Sequence, residues 1–205
     1  ALYNFFMENP VVSKLINRTI GFATKRCMPL LQKQTLKKWM KHYVKALHAE
    51  APENRTIYLF NDEFTNYNDT GIGIKTIQLL GRLGYKVIIP KHLESGRAYL
   101  SKGLVRKAKK IANRNIGFLK NLISEDTPLI GIEPSAILAF RDEYPDLTTP
   151  ENKESLEELA QHAYMIDEFL AREMKNGHIR KDQFNDNKAE VLLHGHCQQK
   201  AVAST

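Results

Sequence analysis

From Thr56 onward the chain alternates short apolar runs with longer stretches of helical periodicity, and this alternation limits the folds open to it. The runs are Ile57-Tyr58-Leu59-Phe60, Lys86-Val87-Ile88-Ile89-Pro90, Leu129-Ile130-Gly131-Ile132 and Val191-Leu192-Leu193. Short apolar runs of this kind suit strands covered on both faces rather than one. Between them lie helical patterns at 71–84, where Ile72, Ile74, Ile77, Leu79, Leu80 and Leu83 supply packing residues, and at 100–124, 135–144 and 155–174. Parallel strands need crossover connections, and helices of this length provide them. The expectation is an α/β fold: a mostly parallel sheet with flanking helices and an N-terminal helical extension.

The extension occupies residues 1–50. Asn9-Pro10 is suited to start a helix, because a first-turn proline lacks only a donor that would be unused there. Val11, Val12, Leu15, Ile16 and Ile20 then recur on one face. Pro29 breaks the pattern, and a second helix is expected at 35–48. Leu36, Trp39, Met40, Tyr43, Val44 and Leu47 line its apolar side, and Lys37, Lys38, Lys41 and Lys45 decorate the rest. Residues 49–55, with Pro52, read as a linker. The pair of helices reads as an arm leading in from a preceding domain, or as a docking surface.

The formal charge is +7, with much of the excess at 14–45 and 102–120. Such runs attract nucleic acid, an anionic membrane or an acidic partner, although a solvated helix face is the plainer reading. No nucleic-acid motif is present and aromatics are not interleaved with the basic runs, so no nucleic-acid partner is expected. Two cysteines, Cys27 and Cys197, cannot build a disulfide framework, which fits a reducing compartment. No apolar stretch approaches the roughly 20 residues that span a bilayer. The first residues lack a signal-peptide pattern. The location expected is cytoplasmic, with peripheral attachment to the inner face of the membrane left open.

In an open parallel sheet, ligands collect beyond the carboxyl ends of the strands. The four runs exit into Asn61-Asp62-Glu63, into Lys91-His92-Leu93-Glu94-Ser95-Gly96-Arg97, into Glu133-Pro134-Ser135, and into His194-Gly195-His196-Cys197. Arg141-Asp142-Glu143 follows the third exit. Asp62, Arg97, Glu133 and Arg141 are therefore the candidate reactive residues along one sheet edge. Asp69, Thr70 and Ser135 read as helix caps, whereas Glu133 suits a cap or a functional role equally. The remaining histidines, His42, His48, His92, His162 and His178, read as surface residues. A dinucleotide glycine fingerprint, a phosphate loop and a nucleophile elbow are all absent from the sequence. Cys197 is a candidate thiolate, with His194 and His196 beside it as further metal or cofactor donors. Adjacent residues such as His196 and Cys197 point apart on a regular element, which disfavours a complete zinc site.

Several motifs in order resemble the cysteine-rich CCG repeats of iron–sulfur oxidoreductases and FAD-linked oxidases. These include glycolate oxidase, heterodisulfide reductase and D-lactate or D-2-hydroxyglutarate dehydrogenase-like proteins. The matching segments are Phe60 to Asn68, then Glu94-Ser95-Gly96-Arg97 through Leu104, then Gly131-Ile132-Glu133-Pro134-Ser135 with Phe140 to Pro145, and finally His194 to Ala201. The resemblance implies a degenerate first repeat at 56–188 and the start of a second at 189–205, so that the chain reads as part of a longer protein. It further implies an iron–sulfur cluster and FAD in the parent, with Cys197 a cluster ligand. Flavin and ferredoxin-like domains or subunits would stand upstream, with an electron acceptor such as a quinone as a further partner; an unpaired sheet edge left by an incomplete second repeat would also allow strand exchange into a homo-oligomer. Where the family carries a Cys-Cys pair this chain has Glu94-Ser95, and where it carries Pro-Ser-Cys this chain has Ala136. Carboxylate, hydroxyl and methyl groups are poor substitutes for thiolate, so the first repeat is expected to hold no cluster.

Overall fold

The structure, a computed structural model, describes residues 2–49, 55–186 and 188–203. Most of the expected linker lies outside these, as do the side chains of Val44, Lys45, Leu47 and His48. In chain order the helices and strands are α1 (Leu2–Glu8), α2 (Pro10–Ile20), α3 (Leu36–Ala49), β1 (Arg55–Phe60), α4 (Glu63–Tyr67), α5 (Thr70–Arg82) and β2 (Tyr85–Ile88). There follow α6 (Arg97–Leu100), α7 (Val105–Leu119), β3 (Leu129–Gly131), α8 (Pro134–Ile137), α9 (Glu143–Leu147), α10 (Lys153–Gln161), β4 (Ala163–Met165), α11 (Ile166–Lys175) and α12 (Cys197–Val202).

The four strands form a wholly parallel sheet in the order β2-β1-β3-β4. Successive side chains of β1 point to opposite faces, so Ile57 and Leu59 enter one core and Phe60 the other. The first core joins Leu36, Trp39 and Met40 of α3 to Ile77 and Leu80 of α5 and Phe169 of α11. The second joins Ala108, Ala112 and Ile116 of α7 to Leu156 and Leu159 of α10. The result is the three-layer α/β arrangement expected of the alternation, with helix α3 built into its core. Two glycines make this packing possible. A Cβ on Gly131 in β3 would stand 2.4 Å from Ile137 Cβ, and one on Gly73 in α5 would stand 2.4 Å from Leu36 Cδ2.

The fourth strand is not the one expected. Val191, Leu192 and Leu193 are 78–93% exposed and adopt neither helix nor strand. The strand beside β3 is Ala163–Met165, which lies inside the stretch read as one helix over 155–174. Its three residues are too few to show an alternation of their own, and helical spacing on either side masks them. The helix expected over 100–124 is shorter than read: α7 starts at Val105, after a turn at 101–104 with Gly103 at φ 69°, and ends at Leu119.

Candidate functional site

β1 connects to β2 and β3 connects to β4, in opposite directions, over α5 on one face and α10 on the other. The carboxyl ends of β1 and β3 therefore flank a topological switch point, where an open α/β sheet leaves a crevice. Asp62 and Glu133 stand on its two sides. Each caps the helix that starts there. Asp62 Oδ1 accepts from the backbone N–H groups of Phe64 and Thr65 at 2.9 Å each, and its Oδ2 accepts from Thr65 Oγ1 at 2.6 Å. Burial pushes the Asp62 carboxyl above its ordinary value, the bonds from Thr65 oppose this, and the charges of Glu63 and Glu133 add to the rise. Glu133 Oε1 accepts from Ser135 Oγ at 2.8 Å. Of the two roles open to it in the sequence, the structure shows Glu133 in the capping one.

The loop after β2 turns in against this edge. His92, expected on the surface, lies with its ring on Phe60, centroids 4.5 Å apart. Its Nε2 accepts from the Asn61 N–H at 3.2 Å, and its Nδ1 lies 2.6 Å from Leu93 O. These partners select the neutral tautomer protonated at Nδ1. Burial lowers the imidazole below its ordinary value.

A closed hydrogen-bond clasp occupies the position at which the resemblance places a cysteine pair. Glu63 accepts from Ser95 through both oxygens, from Oγ at 2.7 Å and from N–H at 3.0 Å. The Tyr144 hydroxyl donates to Ser95 O at 2.9 Å. Asn115 Nδ2 donates to that hydroxyl at 3.1 Å and to Glu94 O at 3.0 Å, while Asn115 Oδ1 accepts from the Leu93 N–H at 2.8 Å. Ser95, Asn115 and Tyr144 are all buried, and burial holds the Tyr144 phenol protonated. Glu63, Asn115 and Tyr144 are not among the site residues expected from the sequence. Glu63 is visible there as a polar neighbour of Asp62, but nothing local connects it to Ser95, 32 positions away.

The two arginines have structural partners. Arg97 pairs with Glu143. Arg141 binds Glu168 through two bonds of 2.9 Å and donates from Nε to Ala163 O at 2.9 Å. Glu168 in turn accepts from the Met165 N–H at 2.8 Å, so Arg141 clamps the junction of β4 and α11.

The tail returns to the same edge. His196 Nδ1 accepts from the Gln198 N–H at 3.2 Å and caps α12, leaving Nε2 3.9 Å from Glu133 Oε1. Gln198 and Gln199 donate to Asp142 and Asp167, each at 2.6 Å. Cys197 and His194 are exposed. The structure therefore sets His196 beside Glu133, with Cys197 next to His196, and Glu133 close enough to Asp62 for its charge to act there. Among the described residues, no group of three or more His, Cys, Asp or Glu side chains is arranged to hold a metal ion.

A separate polar cluster lies at the opposite, amino end of the strands, in a cavity of about 570 Å³. Buried Glu173 accepts from the Tyr85 hydroxyl at 2.5 Å, with His178 Nδ1 at 3.0 Å and Arg55 at 3.6 Å. His178 is exposed, as expected, and pairs with Glu173 from the surface.

Comparison with known proteins places this edge in context. D-2-hydroxyglutarate dehydrogenase of Escherichia coli is 28% identical over 151 residues, covering 69% of this chain and 14% of that protein. The protein of the same name in Haemophilus influenzae is 26% identical over 202 residues, covering 93% of this chain and 18% of that protein. This chain is their homologue. One subunit of the anaerobic glycerol-3-phosphate dehydrogenase of Escherichia coli is also homologous, 24% identical over 168 residues, with 81% of this chain and 41% of that subunit covered. The chain spans less than a fifth of the D-2-hydroxyglutarate dehydrogenases it matches. No family profile and no solved structure matches it.

The iron–sulfur cluster implied by the resemblance does not fit the residues present. Its ligands are soft thiolates. Ser95 presents instead a hydroxyl already committed to Glu63. Ala136 is a buried methyl group, and Cys197 is a single exposed thiol. No chemical step is assigned to a cluster at these positions.

Proposed function

We propose that this chain is part of the electron-transfer region of an FAD-linked, iron–sulfur 2-hydroxyacid oxidoreductase, with D-2-hydroxyglutarate as the substrate class. The carrying observation is the likeness to D-2-hydroxyglutarate dehydrogenase along 93% of the chain, arm and sheet together. In this reading the parent passes electrons from a flavin to an acceptor, a quinone being one. Flavin and ferredoxin-like domains or subunits are its partners, in keeping with the glycerol-3-phosphate dehydrogenase subunit among the relatives. The division into an extension over 1–50, a first repeat over 56–188 and a second beginning at 189 belongs to the same proposal. So do homo-oligomerisation and a cytoplasmic location peripheral to the inner face of a membrane.

The role proposed for the described residues is positioning. Glu63, Ser95, Asn115 and Tyr144 fix the loops of the first repeat without metal. Asp62, Arg97, Glu133 and Arg141 hold the edge against which the tail is seated. Cys197 offers one thiolate donor beside His194 and His196, and any further cluster ligands come from other segments. Anaerobic purification of the whole gene product, with flavin and iron quantified, tests this. Dye reduction by D-2-hydroxyglutarate is the expected result; a product lacking both flavin and iron sinks the reading.

A second reading, an interaction module without redox chemistry of its own, is supported by the closed clasp at Glu94-Ser95. It gains if the whole product contains flavin and iron while Cys197→Ser changes neither iron content nor dye reduction.

A further inference from the structure

Helices α1 and α2 are turned inside out. The residues by which they hold the rest of the molecule are polar: Tyr3 donates to Pro29 O at 3.0 Å, and Asn4 exchanges bonds of 2.7 and 3.0 Å with Leu31. Asn17 is buried and donates to Arg26 O at 3.1 Å. The following segment is pinned to the α/β body by Gln32 N–H to Tyr67 O at 2.7 Å and by Asn68 Nδ2 to Leu30 O at 2.9 Å. Met7, Val12 and Ile16 are partly buried, but other apolar residues point the other way. Leu2, Phe5, Val11 and Leu15 are each 66–75% exposed, and Ile20 and Phe22 are also exposed. On α2 the spacing of Val11, Leu15 and Arg18 sets them along one side of the helix, and Phe22 follows directly after its left-handed cap, Gly21. A surface helix of a soluble domain buries its apolar stripe; one that shows it to solvent marks an interaction surface.

Charge selects the occupant. Residues 1–49 hold nine Lys and Arg (14, 18, 25, 26, 33, 37, 38, 41 and 45) against one acid, Glu8. The remaining residues carry 21 basic and 22 acidic side chains, so the whole positive excess of the chain lies in this arm. Lys14, Arg18, Lys25 and Arg26 are exposed beside the apolar stripe. Short helices presenting Leu, Phe and Val with Lys and Arg alongside are suited to the boundary between acyl chains and anionic headgroups.

We propose that the outward apolar face of α1 and α2, with its flanking Lys and Arg residues, docks the protein onto an anionic lipid surface. This gives the peripheral location proposed above its contact residues and rests on that location, not on the electron-transfer reading. The assay involves no flavin, iron or substrate, so the two fail separately.

The test is flotation of the full chain with phosphatidylcholine vesicles, with and without about 30% phosphatidylglycerol. Expected is a partition about ten-fold greater onto the anionic vesicles, weakened by about 0.5 M NaCl. Leu15→Glu and Phe22→Glu, both at exposed positions, are expected to cut it about five-fold or more with an unchanged far-UV circular dichroism spectrum. Leu192→Glu, the same change at an exposed residue outside the arm, is expected to leave it unaltered. Equal or no partition onto the two vesicle types overturns the proposal. So does retention of binding by both arm variants, and soluble polyglutamate competing as well as vesicles would then assign the arm to an acidic macromolecule.

Discussion

At the scale of single residues, the clasp between Glu63 and Ser95 is the feature with the sharpest consequences. A hydrogen bond to a charged partner is worth more than a neutral one, about 1.5–3 kcal/mol. Ser95→Ala is therefore expected to lower the unfolding free energy by about 2 kcal/mol in urea titrations. A double-mutant cycle with Glu63→Gln should return a coupling of about 1 kcal/mol or more. Additive effects would show that the clasp does not act as a unit. His92 makes a prediction in pH. Its folded value lies below the 6.5 of a free histidine, so between the two the unfolded chain binds more protons. Stability should rise as pH climbs through this window and level off above about 6.5, and His92→Asn should flatten that slope. A slope unchanged in the variant would assign it to another group. Asp62 is recognisable in the sequence because polar residues after a strand have few alternatives to capping or chemistry. His92 is not: its burial depends on Phe60, 32 positions earlier, and no local spacing encodes that.

At the scale of elements, β4 shows how tertiary partners make a strand from three residues. Ala163 supplies a carbonyl to Arg141, Met165 supplies an N–H to Glu168, and the arginine and glutamate bind each other. Arg141→Lys keeps the charge but cannot span these acceptors, and a loss of about 2 kcal/mol is expected. The accompanying sign is faster amide exchange over Ala163–Met165; exchange as slow as in the unaltered protein would refute the clamp. Gly131→Ala drives a Cβ against Ile137 and should cost about 2 kcal/mol through overpacking, read as a lower urea midpoint. The helices are legible where an apolar stripe runs long enough, as in α5 and α7. They are misjudged where a short strand or turn interrupts a helical pattern, since periodicity averages over the break.

For the whole molecule, the structure divides the N-terminal helices by how they are held. Leu36, Trp39 and Met40 of α3 are buried in the core beside β1 and β2, whereas α1 and α2 are attached through polar bonds to loops. Removing residues 2–31 should therefore leave a cooperatively folding α/β body, with a loss of about 1–2 kcal/mol measured by calorimetry. Extending the deletion through Met40 should abolish cooperative unfolding, because a whole side of one core goes with it. A cooperative transition surviving the longer deletion would show that α3 is dispensable.

Residue types and their order along the chain suffice to specify a parallel α/β sheet with polar exits, because burial on both faces and the need for crossovers leave few other arrangements. They also suffice to show that soft donors are missing at Glu94, Ser95 and Ala136, since ligand chemistry is carried by residue type. Three features needed the assembled fold: which run became the fourth strand, the closing of Ser95 by Glu63 and Tyr144, and the outward turn of the apolar side of α2. Each of these depends on contacts between residues distant in the chain, and such contacts leave no trace in local spacing.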